Sequence, residues 1–393
     1  MDQFFLPMNL SQRCGLVMQS DIRAMSIECA RMGGINLSQG ICDTPVPPVV
    51  LQGAADAVMQ GVNIYTHHTG IRELREAIAG KQRRFSGVAF DAEREIVVSA
   101  GATGAMYCAF QALLNRGDEV IVFEPFYGYH VSTLRAVEAA PVFVPLDPSD
   151  GWSFMIDDLE AAITPKTKAI LVNTPANPSG KVFSHDELTL LAEFAIRHDL
   201  FVFTDEMYEH FVFDGLSHLS MAALPGMRER TITISGLSKT FSITGWRIGY
   251  AMCDERWAAA IGYFNDLFYV CAASPLQAGV TAGLRSLGDD YYRALSTEYA
   301  ARRDRFCAAL SEAGLAPHVP QGAYYVLAST ERLPGATARE RAMHILRETG
   351  VASVPGSAFY HDGGGERLVR FCFAKDAHVL EEACERLQKL RFS

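Results

Sequence analysis

From Glu95 onward, short apolar runs alternate with helically spaced stretches, and this alternation constrains the fold more than any other feature of the sequence. The runs fall at 96–100, 118–125, 169–178, 200–208, 231–234 and 248–252. Apolar runs of this length between helices read as strands covered on both faces, so an α/β fold with a mainly parallel sheet is expected. At 393 residues the chain exceeds the ~250–300 residues over which one core keeps growing, which predicts two domains.

Several runs end in residues able to do chemistry: Tyr127 after one, Asn177 after another, Asp205 and Tyr208 after a third. Open sheets of this kind gather their sites at the carboxyl ends of the strands. The run 231–234 is followed by a small-residue turn that presents Lys239, with Arg247 beyond a Thr244–Gly245 break. An amine suited to a carbonyl carbon beside a planar guanidinium suited to a phosphate describes pyridoxal 5'-phosphate, PLP.

The remaining groups can be assigned to the needs of that cofactor and of an amino-acid substrate. After the strand at 96–100, Gly101 forms the turn, and the amides of Ala102 and Thr103 stand at a helix start that either binds phosphate or is simply capped by Thr103. Asp205 can keep a ring nitrogen protonated, Asn177 and Tyr208 can donate to a phenolic oxygen, and Tyr127 can cover one ring face. A Lys239 amine with a lowered pKa can move the α-proton. Arg370, among apolar neighbours in a strand at 367–374, either makes a structural salt bridge or holds a substrate carboxylate. Gly40, in a proline-rich connector, is either a plain turn glycine or allows a ligand to approach the backbone.

Composition narrows the alternatives. A net charge of −10 argues against non-specific nucleic-acid binding. Nine scattered cysteines without a CysXaaXaaCys pair suggest neither a disulfide framework nor a zinc ribbon, and they read as mostly buried, inert thiols in a reducing cytoplasm. Residues 1–7 lack the pattern of a secretory signal, and no apolar stretch reaches the ~20 residues of a membrane span. The adjacent His67 and His68 lack ligand spacing, so no metal is assigned. Helices are expected at 20–32, at 49–59 and from Ile71. Past Ser274 long amphipathic helices are expected, with Leu284, Leu287, Tyr291 and Leu295 on one face, followed by short strands that include 322–328.

Taken together, NTPANPSG (173–180), TDEMY (204–208), SKTF (238–241), GWRIGY (245–250) and RFCFA (370–374) resemble the fold-type I, PLP-dependent class I/II aminotransferases over nearly the whole chain. Within that family the chain is most similar to the kynurenine, glutamine and methionine aminotransferases and to the aspartate aminotransferases of subgroup Iγ. The resemblance implies an amino-terminal arm (1–45), a large PLP-binding domain (46–275) and a smaller α+β domain (276–393) that the amino-terminal arm helps to build. It implies ping-pong transfer of an amino group from an L-amino acid to a 2-oxo acid, with Lys239 forming the Schiff base, Asp205 at the pyridine nitrogen, Tyr127 stacking and Arg370 binding carboxylate. It further implies a homodimer in which Tyr65 reaches the neighbouring subunit's phosphate.

The chain departs from the family at Gly104, where a glutamate is frequent, and at Ile41 and Cys42, where an aromatic and a proline are common. Gly236 occupies the place of a phosphate-binding serine, leaving Ser235 or Ser238 to substitute. The same fold also carries β-lyases and decarboxylases, because fold does not fix reaction type. A PLP-binding regulator would need a helix-turn-helix domain, for which there is no room ahead of Gly40, and neither a P-loop nor a dinucleotide fingerprint is present.

Overall fold

The structure, a computed structural model, describes residues 10–16 and 20–392; the reading of residues 1–7 lies outside them. The Ser20 hydroxyl accepts from the Ile22 amide and caps helix α1 (Asp21–Arg31), which buries Met25 and Cys29, four residues apart on one face. After the short strand β1 (Ile35–Asn36), Pro48 begins α2 (Pro48–Met59) at a position where its missing N–H costs nothing, and α3 (Arg72–Ser86) follows.

The predicted alternation then appears as β2 (Ile96–Ala100), α4 (Gly101–Leu113), β3 (Glu119–Glu124), α5 (Gly128–Ala136) and β4 (Ala140–Pro145). It continues through α6 (Ile156–Ala161), β5 (Thr167–Asn173), α7 (His185–Arg197), β6 (Phe201–Asp205), β7 (Thr231–Gly236) and β8 (Ile248–Met252). These seven strands stand in the order β2-β8-β7-β6-β5-β3-β4. Neighbours are parallel except at β8, which runs against both β2 and β7. Val202 and Phe203 are consecutive in β6, point to opposite faces and are both fully buried, which requires cover on each side. Asn173 stands opposite Asp205 and Asp205 opposite Ile234, so the carboxyl ends of three central strands finish at one level.

Helices α8 (Glu255–Tyr269), α9 (Ser274–Ser286) and α10 (Asp289–Glu312) come next. The single stripe expected over Leu284, Leu287, Tyr291 and Leu295 is divided. Leu287 is extended, and Gly288 caps α10 in an extended conformation, so the helix axis is broken between them. Leu284, Leu287 and Tyr291 pack with Val50, Leu74 and Phe241, whereas Leu295 joins a different core with Phe306 and Leu310.

The remainder comprises β9 (Ala316–His318), β10 (Tyr325–Ser329), α11 (Ala338–Thr349), β11 (Val351–Ala352), β12 (Val354–Pro355), β13 (Leu368–Cys372) and α12 (Ala377–Leu387). The strand expected at 322–328 starts only at Tyr325, because Ala323 takes a left-handed conformation (φ 59°). A four-stranded antiparallel sheet, β12-β13-β10-β9, carries Arg370 opposite Leu327. Strand β1 pairs with β11, and Met25, Cys29 and Leu37 share a core with Phe306 and Phe371, so the amino-terminal segment packs with the carboxyl-terminal one.

Candidate active site

Strand β7 delivers the chain to a turn in which Lys239 is held by a residue 199 positions away: its Nζ donates to the Gly40 carbonyl at 2.9 Å. Burial, reinforced by the Arg247 cation, holds the amine below its ordinary pKa of 10.5. The lysine faces a cavity of about 550 Å³ whose wall also includes Gly40, Ala102, Thr103, Tyr127, Asn177, Asp205, Tyr208, Ser238, Arg247 and Arg370.

One end of the cavity is built for an anion. The first amides of α4, at Ala102 and Thr103, line it together with Arg247, whose left-handed backbone (φ 57°) and Nη1 bond to the Thr244 carbonyl at 3.1 Å fix the guanidinium. Gly101 has φ 76°, and a Cβ there would fall 2.3 Å from Arg247 Nη2, so only glycine lets the helix start and the arginine approach this closely.

At the base of the cavity, Asp205 closes β6. Its Oδ1 accepts from the Met207 amide at 3.1 Å, and its Oδ2 lies 2.8 Å from His130 Nε2. The Tyr208 hydroxyl lies 3.0 Å from that of Tyr325, and burial, with Tyr325 beside it, pushes the Tyr208 pKa well above the ordinary phenol value. Burial likewise raises the Tyr127 pKa, so both phenols remain protonated.

Opposite stands Arg370, fully buried. Its Nη1 donates to Asn177 Oδ1 at 2.8 Å and its Nη2 to the Ser38 carbonyl at 2.5 Å, while Nε has no partner among the described residues. Its guanidinium carbon lies 4.3 Å from the centre of the Tyr325 ring. No carboxylate pairs with it among the described residues, which removes the structural salt bridge as its explanation. With its Oδ1 occupied by Arg370, Asn177 keeps its amide nitrogen available as a donor. A Cβ on Gly40 would sit 1.8 Å from the Tyr325 hydroxyl, so the close approach of the connector requires glycine.

Two predicted residues lie elsewhere. Ser235 is fully buried and its Oγ donates to Glu209 Oε1 at 2.8 Å, in a network with Lys81 rather than on the cavity wall; of the two candidate serines, Ser238 lines the cavity. Tyr65 is 80 % exposed and borders a separate hollow with Ile64 and Cys271. The sequence reading missed His130 and Tyr325. His130 follows Tyr127 by three residues at the start of α5, and Tyr325 adjoins Tyr324, but no local pattern distinguishes either from a packing residue.

The donor set suits PLP: a buried amine, a carboxylate held by an imidazole, phenolic and amide donors, and an amide-and-guanidinium anion cradle. Comparison with known proteins agrees. The family model for aminotransferase class I and II matches residues 33–387. A probable N-succinyldiaminopimelate aminotransferase of Mycobacterium tuberculosis is 40% identical over 377 residues, covering 93% of this chain and 94% of that protein. An aspartate aminotransferase of Pyrococcus abyssi is 35% identical over 98% of each chain. The solved structure of Escherichia coli YbdL, for which a methionine aminotransferase function is identified, superposes with a TM-score of 0.93 at 32% identity, covering 98% of this chain and 100% of that one. The chain therefore belongs to the class I and II aminotransferases, PLP-dependent enzymes of fold type I.

Proposed function

We propose that this aminotransferase moves an amino group from an L-amino acid to a 2-oxo acid with Lys239 as the proton carrier and Arg370 as the carboxylate clamp. The observation that carries this reading is Arg370 itself, a fully buried guanidinium without a carboxylate partner among the described residues, on the wall of the same cavity as a lysine of lowered pKa. PLP, when bound, supplies a carbonyl that accepts the amino group and a ring that draws electron density from the substrate α-carbon. Ala102, Thr103, Ser238 and Arg247 would hold its phosphate, Asp205 its ring nitrogen, Asn177 and Tyr208 its phenolic oxygen, and Tyr127 one face.

Arg370, with the Gly40 backbone, orients the substrate α-carboxylate. A Lys239 amine of lowered pKa would take the substrate α-proton on its Nζ and give it back from the same atom. Burial around Arg370 and Tyr208 keeps water from competing for these groups.

We also propose a homodimer in which Tyr65 serves the partner's site. Its exposure, outside its own cavity, and the exposed Met59, Ile64, Tyr263 and Leu267 support this reading. The three-part division of the chain at 45 and 275 follows the family resemblance and the change to long amphipathic helices past Ser274; α9, just beyond that boundary, packs against α2. A reducing, cytoplasmic setting fits nine cysteines that are all free, and among the described residues no helix is long and apolar enough to cross a membrane.

The test is a single-turnover absorbance titration of PLP-loaded protein with a panel of amino acids in the absence of oxo acid. Amino-acid-dependent conversion of the cofactor to its amine form, reversed by pyruvate or 2-oxoglutarate, is the expected result. Release of ammonia or carbon dioxide without that conversion would assign a β-lyase or decarboxylase on the same fold.

A further inference from the structure

The space around Lys239 does not end at the reacting groups. Ile22, Arg23, Thr103, Tyr129 and Thr133 are shared with a second hollow of about 580 Å³, as large as the first, which continues between α1, α5 and the segment around Phe359. Its walls are rich in aromatic and aliphatic groups, and two cations are placed along it. Arg23 stands on the shared wall, and Arg135, on α5, lines only the outer hollow.

Among the described residues neither guanidinium has an ion-pair or hydrogen-bond partner; Arg23 is exposed and Arg135 half-buried. The other ionisable groups at this hollow, apart from its phenols, are engaged: Asp21 pairs with Arg339 at 3.5 Å and His361 with Glu124 at 2.9 Å. Asp205, the one carboxylate lining the inner cavity among the described residues, is taken by His130. In a chain of net charge −10, two uncompensated guanidiniums on an apolar passage leading from the reacting groups form a positive end point for an anion.

We propose that the substrate is an α-amino acid, with its matching 2-oxo acid, whose long and mainly apolar side chain ends in a carboxylate or similar anion held by Arg23 and Arg135. The inference rests on the aminotransferase reading, with the α-carboxylate at Arg370. Arg135 lines only the outer hollow, away from the reacting groups, and this favours a side chain longer than that of aspartate.

The test needs no turnover. PLP-loaded protein is titrated by calorimetry against unbranched dicarboxylates from succinate to suberate and against monocarboxylates of the same lengths. The expected result is that each longer diacid outbinds the monoacid of equal length, with the advantage greatest beyond succinate. Arg23→Gln and Arg135→Gln should each reduce that advantage by about 10- to 100-fold, as loss of a charge-assisted contact does, and Arg23→Lys should retain part of it. An advantage that peaks at succinate, or that neither substitution changes, overturns the proposal. The two readings fail separately: conversion of neutral amino acids without any diacid advantage defeats only this inference, whereas failure of every amino acid in the single-turnover titration defeats the aminotransferase reading.

Discussion

His130 Nε2 lies 2.8 Å from Asp205 Oδ2, and both side chains are buried although 75 residues separate them in the chain. With Oδ1 taken by the Met207 amide, the carboxylate is fixed at both oxygens where it meets the cavity. Removing the imidazole frees one oxygen and lets the carboxylate turn. His130→Ala is expected to weaken PLP binding by about tenfold, the ~1.4 kcal/mol typical of a lost hydrogen bond to a charged group. Cofactor retention on dialysis, read by absorbance, checks this; wild-type retention would show that Asp205 needs no support.

Among the described residues Arg370 has no carboxylate partner, so the substrate is expected to provide one. Arg370→Ala should raise KM for all α-amino acids, typically by the ~2–5 kcal/mol lost when one member of a buried charge pair is removed. Steady-state kinetics over several donors would decide it, and an unchanged KM would leave the residue a structural role through Asn177 and Ser38.

Burial holds Lys239 below its ordinary 10.5. In the cofactor-free protein the folded state binds this proton less tightly than the unfolded chain, so stability rises as pH climbs from the lowered value toward 10.5. Lys239→Met is expected to remove that rise and to abolish turnover. Urea midpoints measured across the alkaline range, together with an activity assay, test both halves; near-normal transamination by the variant would sink the assignment.

His210 is pushed down to about 3 by burial, and its ring, stacked 4.2 Å from Tyr292, has no hydrogen-bond partner at either nitrogen among the described residues. The folded state thus refuses a proton that the unfolded chain accepts below 6.5, so the stability present above that pH is lost progressively as pH falls toward 3. At pH 5 this amounts to about 2 kcal/mol. His210→Phe keeps the stacking and should narrow the gap between urea midpoints at pH 7 and pH 5; an unchanged gap would place the acid sensitivity elsewhere.

The dimer proposal predicts complementation. Lys239→Ala and Tyr65→Ala chains, each impaired alone, should recover activity when co-expressed, because a mixed dimer contains one site with both residues intact. Absence of recovery in verified mixed dimers would show that Tyr65 does not serve the partner.

Much of this was legible in sequence because it is local. Continuous apolar runs fixed the strands, and the residues at their ends, Asn177, Asp205, Tyr208 and Lys239, could be assigned to one site because parallel strands finish on the same side. The buried arginine of β13 was visible for the same reason: a charge in an apolar run needs an anion. What the sequence alone could not supply depends on which distant segments meet. The reversal of β8, the engagement of Ser235 by Glu209, the seating of His130 on Asp205 and of Tyr325 over Arg370, and the passage of Leu295 into a second core all depend on contacts across tens to hundreds of residues. Side-chain periodicity reports the face a residue presents, whereas tertiary packing decides which group stands opposite it.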